Sequence, residues 1–230
     1  MKDFSEFERK IGITFNNKAL LRVAFTHRSF LNENRSAGTQ HNERLEFLGD
    51  AVVELAVTDY LYKKFPDRDE GELTSFRAAL VNAVTLSDLA SKLSMNDYLL
   101  LSKGESKDVG RARQFILANT FESFVGALFL DRGMEACVSF LEAYLFPLTD
   151  GIVEGRLWQD AKSFFQEKSQ DEMSVTPSYK LVRENGPDHD KQFTIGVYIG
   201  NELVAEGDGK SKQEAEQAAA RKALEKKGWS

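Results

Sequence analysis

The chain has 230 residues, 42% hydrophobic and 29% charged, with a formal net charge of −6; that is apolar enough for one ordinary core or two small domains, and it excludes global disorder. No apolar run approaches the roughly 18–20 residues of a membrane span, the opening "MKDFSEFERKIGITF" lacks a signal-peptide core, and the single cysteine, Cys137, excludes an internal disulfide, so a cytoplasmic protein is expected. The acidic balance argues against binding nucleic acid by bulk charge, since phosphate contacts come from Lys and Arg, but a local basic patch or a metal-filled acidic site escapes that argument.

Up to Pro147 the chain reads as nearly all helix. "ERLEFLGDAVVELAVTDYLYKKF" is a long apolar-periodic stretch that stops before Pro66, and "EGELTSFRAALVNAVTLSDLASKL" repeats the pattern. "QFILANTFESFVGALFLDRG" does so again and stops at Gly133; "MEACVSFLEAYLF" adds a helix in which Cys137 is a buried, inert thiol. Residues 1–150 are therefore expected to form an all-α domain whose Phe-rich stripes are core. A short linker over 151–157 follows. Then comes one helix, "WQDAKSFFQEKSQ", and three alternating stretches, "SVTPSYKLVRENG", "KQFTIGVYIG" and "NELVAEGDGK", with Gly186-Pro187 and Gly200-Asn201 as turns. An Ala-rich helix ends at Gly228. Residues 158–228 should thus form a small α+β domain of order α-β-β-β-α, with a three-stranded antiparallel sheet and both helices on one face.

The first long helix carries an oddity. In "HNERLEFLGDA", Leu45, Leu48 and Val52 mark an apolar face, yet Glu43, Glu46 and Asp50 share a face of their own at i, i+3 and i+7. A second apolar helix sets Asn119 and Glu122 at i, i+3. Hard oxygen donors at matching spacing on two core helices point to Mg²⁺ or Mn²⁺ rather than Zn²⁺. Ordinary solvated faces of amphipathic helices would show the same spacing, so the residues alone leave both readings open.

The motif "HNERLEFLGDA" resembles the signature of ribonuclease III. The resemblance continues through "THRSF", "FPDRDEGELTSFRAALVN", "LLLSKGE" and "ILANTFESFVGALFLDRG", and the tail resembles a double-stranded RNA-binding domain. This implies a Mg²⁺-dependent endonuclease on double-stranded RNA, with Mn²⁺ as a substitute, acting as a homodimer without a membrane or a small-molecule substrate. It implies Glu46 and Glu122 as metal ligands, Asp50 and Glu122 as catalytic acids, Glu43 and Glu70 as supporting acids, and Phe47 as the ring that enters a socket on the partner subunit. It also implies 5′-phosphate and 3′-hydroxyl ends, two-nucleotide 3′ overhangs, and processing of ribosomal, and some messenger and transfer, RNA precursors. The usual residue at position 119 in this family is Asp. The Asn119 carbonyl is still a hard ligand, but one negative charge is lost, so weaker metal affinity is expected. Asn119 also motivates a rival reading, a duplex-RNA binder that does not cut; a structural module using the helical domain alone is a second rival.

A duplex-RNA reader contacts 2′-hydroxyls across minor grooves and phosphates across the major groove. Three regions of the tail match those contact regions. They are Ser163, Gln166, Glu167 and Gln170 on the first helix, Pro187 and His189 in the turn, and Lys210, Lys212 and Gln213 at the start of the last helix, where the dipole favours phosphate. Gln213 departs from the family, in which a second consecutive basic residue is common.

Overall fold

The computed structural model describes residues 2–156, 158, 160–187 and 191–229. The chain divides into two compact units, 1–158 and 159–230. The first unit is helical: α1 (Phe4–Ile11), α2 (Lys18–Ala24), α3 (Arg28–Glu33), α4 (Glu43–Lys64), α5 (Glu70–Val81), α6 (Ala83–Lys92), α7 (Arg111–Tyr144) and α8 (Thr149–Glu154). The stretch from Glu70 to Leu93, periodic throughout in sequence, is two helices. Asn82 leaves the helical region at φ −70°, ψ 158°, and its side chain accepts from the Thr85 amide to cap α6. Gly133 ends one helical run and begins another inside α7, at φ 79°, a backbone angle that favours glycine.

The expected linker over 151–157 is helical through Glu154. Ile152 is buried in the first core, and the Trp158 ring packs edge-on against Phe76 at 4.8 Å. Those two apolar side chains carry the first unit past residue 150.

By length and composition α7 is apolar enough to cross a membrane. Its Leu117, Phe121, Phe124, Val125 and Leu128 are instead buried in the core. The Phe124 ring meets Phe7 at 5.6 Å and Phe140 at 5.0 Å, and Phe7 meets Phe25 at 5.0 Å. Burial of each such ring stabilises the unit by about 1.5–3 kcal/mol, so the Phe-rich stripes do form core.

The helices α4 and α7 touch backbone to backbone. A Cβ added at Gly49 would lie 1.7 Å from the Glu122 carbonyl oxygen, and one added at Gly126 would lie 2.2 Å from that of Leu45. Two glycines facing each other's helix permit this approach, and it brings the residues flanking the crossing close together. α4 also has two apolar faces. Leu45, Val52, Val53, Ala56, Val57 and Leu61 are buried, whereas Phe47 and Leu55, two turns apart, stay 82% and 61% exposed.

The second unit is α9 (Ala161–Met173), β1 (Ser178–Asn185), β2 (Gln192–Ile199), β3 (Glu202–Gly209) and α10 (Lys212–Lys227). The sheet is antiparallel in the order β1-β2-β3, and Gly200 makes the β2–β3 turn at φ 59°. Phe165, Val197, Val204, Ala219, Ala220 and Ala223 form its core. The Ala-rich face of α10 lies directly on β3: a Cβ at Gly207 would fall 2.1 Å from the Ala219 amide nitrogen.

Candidate functional site

Four side chains predicted from helical spacing are brought together where α4 crosses α7. The Glu46 carboxyl is held above its ordinary range, first by burial, then by Glu43 and also by Asp50, while a hydrogen bond from the Asn119 amide acts in the opposite direction. Glu122 is pushed up to about 7 by burial, then by Asp50 and Glu46. Both carboxyls thus feel an excess of negative charge that no nearby side chain cancels in full. Glu43 lies at the rim, where Arg28 Nη1 is 3.6 Å and His41 Nδ1 3.7 Å from its carboxylate oxygens. His27 is structural: its ring accepts from the Ser29 amide and caps α3.

Among the described residues, no three His, Cys, Asp or Glu side chains form a ready ion cage. The donor set nevertheless suits a hard divalent cation, because Glu46, Glu122 and the Asn119 side-chain carbonyl offer oxygen only, and a positive charge there would offset the burial and the repulsion that raise both carboxyls. Asn119 interacts with Glu46, and its side-chain carbonyl is the oxygen it offers a cation.

Glu70 is exposed in the first turn of α5, and the charges acting on Glu46 and Glu122 come from Glu43, Glu46 and Asp50. Phe47 follows Glu46 directly and is largely solvent-exposed, so it takes no part in the core of the first unit. With Leu55 it forms an apolar stripe on the opposite side of α4 from the buried face.

In the second unit, Ser163, Gln166, Glu167 and Gln170 are all exposed on α9. They line one shallow groove together with Asp171 and Thr176, which sequence reasoning missed. The Thr176 hydroxyl donates to the Gln170 side-chain oxygen at 3.3 Å. Pro187 is exposed; His189 lies outside the described residues. Lys210, Lys212 and Gln213 are exposed at the start of α10. There Ser211 accepts from the Glu214 amide, Glu214 accepts from the Lys210 amide, and the Lys212 ammonium sits 6.0 Å from the Phe193 ring. This reciprocal cap fixes the helix start. α9 and α10 are joined by Lys162 to Glu216 at 2.6 Å and by Gln217 to Asp160 at 2.6 Å, which sets the groove relative to the basic helix end.

In the first unit, the residues that sequence reasoning missed act between elements. Arg28 reaches Glu43, Gly49 and Gly126 permit the crossing, and Asn42 bonds Ser123 at 3.3 Å. Only the glycines left a signal, as unexplained interruptions of apolar helices.

Residues 17–148 match the family model for Ribonuclease-III-like proteins, and residues 161–227 match that for the Double-stranded RNA binding motif. Ribonuclease 3 of Latilactobacillus sakei is 47% identical over 221 residues, covering 96% of each chain. Ribonuclease 3 of Geobacillus kaustophilus is 48% identical over 224 residues, covering 96% of this chain and 90% of that one. A solved nuclease domain of ribonuclease III from Campylobacter jejuni, described as flexible in its dimer-forming region, aligns with a TM-score of 0.57 at 36% identity over 63% of this chain and 99% of that one. Helical unit, crossing acids and appended α-β-β-β-α unit therefore have one reading: the chain belongs to the ribonuclease III family of double-stranded RNA endoribonucleases.

Proposed function

We propose that the protein is a Mg²⁺-dependent homodimeric endonuclease, with Mn²⁺ as a substitute, that leaves 5′-phosphate and 3′-hydroxyl ends with two-nucleotide 3′ overhangs. Its substrates are ribosomal RNA precursors and some messenger and transfer RNA precursors in the cytoplasm. The observation that carries this reading is the clustering of Glu46, Asp50, Asn119 and Glu122, with Glu122 pushed up to about 7. In this reading Glu46, Asn119 and Glu122 hold the cation, which supplies positive charge at the scissile phosphate and acidifies water at neutral pH. Asp50 and Glu122 orient the attacking water and accept its proton. Glu43, steadied by Arg28, and Glu70 shape the acidic valley around the cut.

The exposed Phe47 ring enters the partner subunit, and a two-fold axis places one site against each strand of the duplex. Ser163, Gln166, Glu167 and Gln170 contact one minor groove, Pro187 and His189 the next, and Lys210, Lys212 and Gln213 the phosphates between.

The test is to incubate the full chain with a long perfect RNA duplex, with and without Mg²⁺, and to map the ends. Cutting only with Mg²⁺, with two-nucleotide 3′ overhangs, supports the proposal, and Asp50→Ala should abolish cutting while duplex binding persists. The hydrogen bond from Asn119 to Glu46 favours one second reading, a duplex-RNA binder that does not cut. Binding without cleavage at any Mg²⁺ or Mn²⁺ concentration would establish it and overturn the nuclease assignment.

A further inference from the structure

Asn42 occupies the N-cap position of α4, yet its side chain makes no capping bond. An Asn at that position ordinarily accepts an amide of the first turn, a bond worth about 1 kcal/mol. Here the side chain turns inward and is only 3% exposed. Its Nδ2 donates to the Ala24 carbonyl at 3.2 Å and to Ser123 Oγ at 3.3 Å. Ser123 is fully buried, and its Oγ lies 2.8 Å from the same Ala24 carbonyl and 3.0 Å from that of Thr120. Ala24 is the last residue of α2, and its carbonyl is one that a helix leaves without an internal partner. Two side chains from two other helices converge on it.

This buried knot adjoins the acid cluster at both ends. Ser123 directly follows Glu122. The Asn42 carbonyl accepts the Glu46 amide at 2.9 Å. The close contact at Gly49 and Gly126 fixes how near α4 approaches α7, and Leu45, Val52, Val53, Ala56 and Val57 pack along the same face by apolar contact, which carries no directional bond. Asn42 stands seven residues before Gly49, about 10 Å along the axis, and supplies a second fixed point.

We propose that Asn42 and Ser123 are positioning residues: they hold the rotation of α4 against α7, so that the Glu46, Asn119 and Glu122 oxygens converge on one cation. The proposal rests on the reading of that set as a metal site. A purely structural role would be limited to satisfying the Ala24 carbonyl, and the two roles predict different results.

The experiment measures two quantities on the full chain: Mn²⁺ affinity, from the spectrum of the free ion, and kcat and KM for duplex cleavage. Ser123→Ala should weaken Mn²⁺ binding about tenfold, the usual scale for removing a group that orients a ligand. It should also lower kcat and leave KM for the duplex unchanged. Ser123→Thr, which keeps the hydroxyl, should restore both. Asn42→Ala should reproduce the loss, and Asn42→Asp, which lacks the donating amide, should not rescue it. Ile152→Ala, a core variant in α8, controls for lost stability and should keep wild-type Mn²⁺ affinity. Mn²⁺ affinity and kcat within twofold of wild type in folded Ser123→Ala and Asn42→Ala would overturn the proposal, as would losses matched by Ile152→Ala or a wild-type chain that binds no Mn²⁺. A wild-type chain that binds Mn²⁺ without cutting duplex, and loses that binding in Ser123→Ala, would refute the nuclease reading and leave the positioning role standing.

Discussion

Replacing Glu122 by Gln should make the metal-free protein more stable, and only at neutral or alkaline pH. Glu122 is pushed up to about 7 from an ordinary 4.5 by burial and by the charges of Asp50 and Glu46. A carboxyl raised in the folded state keeps its proton there longer than in the unfolded chain. Stability is therefore fullest below about pH 4.5 and is lost as pH rises through 7. The gap corresponds to about 3 kcal/mol at about 1.36 kcal/mol per pH unit, and to about 2 kcal/mol once solvent screening of this partly exposed group is allowed for. Gln is neutral throughout and escapes the loss. In EDTA at pH 8, Glu122→Gln should melt roughly 4–8 °C above wild type; at pH 5 most of that difference should vanish. Adding Mg²⁺ at pH 8 should raise wild type more than the variant, since a cation cancels the same repulsion. Equal melting temperatures at pH 8, or an identical gain at pH 5 and pH 8, would refute the claim that unbalanced charge sits at this crossing.

Three further outcomes are expected. Asn119→Asp adds a negative charge at the site, so the Mg²⁺ concentration for half-maximal cleavage should fall by up to about tenfold; unchanged half-saturation in a Mg²⁺ titration would refute this. Phe47→Ser removes a ring worth about 2 kcal/mol when buried, counted twice across a two-fold axis. Dimer dissociation measured by sedimentation should then weaken about 10³-fold, and an unaltered association state would exclude Phe47 from the interface. Gly49→Ala drives a methyl into the Glu122 carbonyl, so circular dichroism should show the helical unit losing about 3 kcal/mol or more; a wild-type melt would mean that the helices separate at little cost.

Much of the site was legible because an α-helix turns spacing into direction. Glu46 and Asp50, or Asn119 and Glu122, share a face on any helix long enough to display them. The sheet of the second unit was legible from the alternation of Phe193, Ile195, Val197 and Ile199 in sequence, although β2, the central strand, is buried along most of its length. The break at Asn82 was hidden, because its neighbours keep apolar periodicity on both sides and only the capping bond to Thr85 distinguishes it. The helical course of 151–154 was hidden because α8 has only six residues, too few to display a helical period. Asn42 and Ser123 were illegible because they are 81 residues apart in sequence, and no local pattern records a buried bond of that separation. Glu70 shows the limit from the other side: its place among the supporting acids comes from family resemblance alone, since no spacing along one helix links it to them.

Phe47 and Glu46 are consecutive residues on one stiff rod, the ring pointing out and the carboxylate pointing in. Any twist that re-seats the ring swings the carboxylate through the same angle. The outer surface of α4 is thus a handle on the acid cluster behind it, and a compound wedged beneath that ring would disturb those carboxylates without ever touching them.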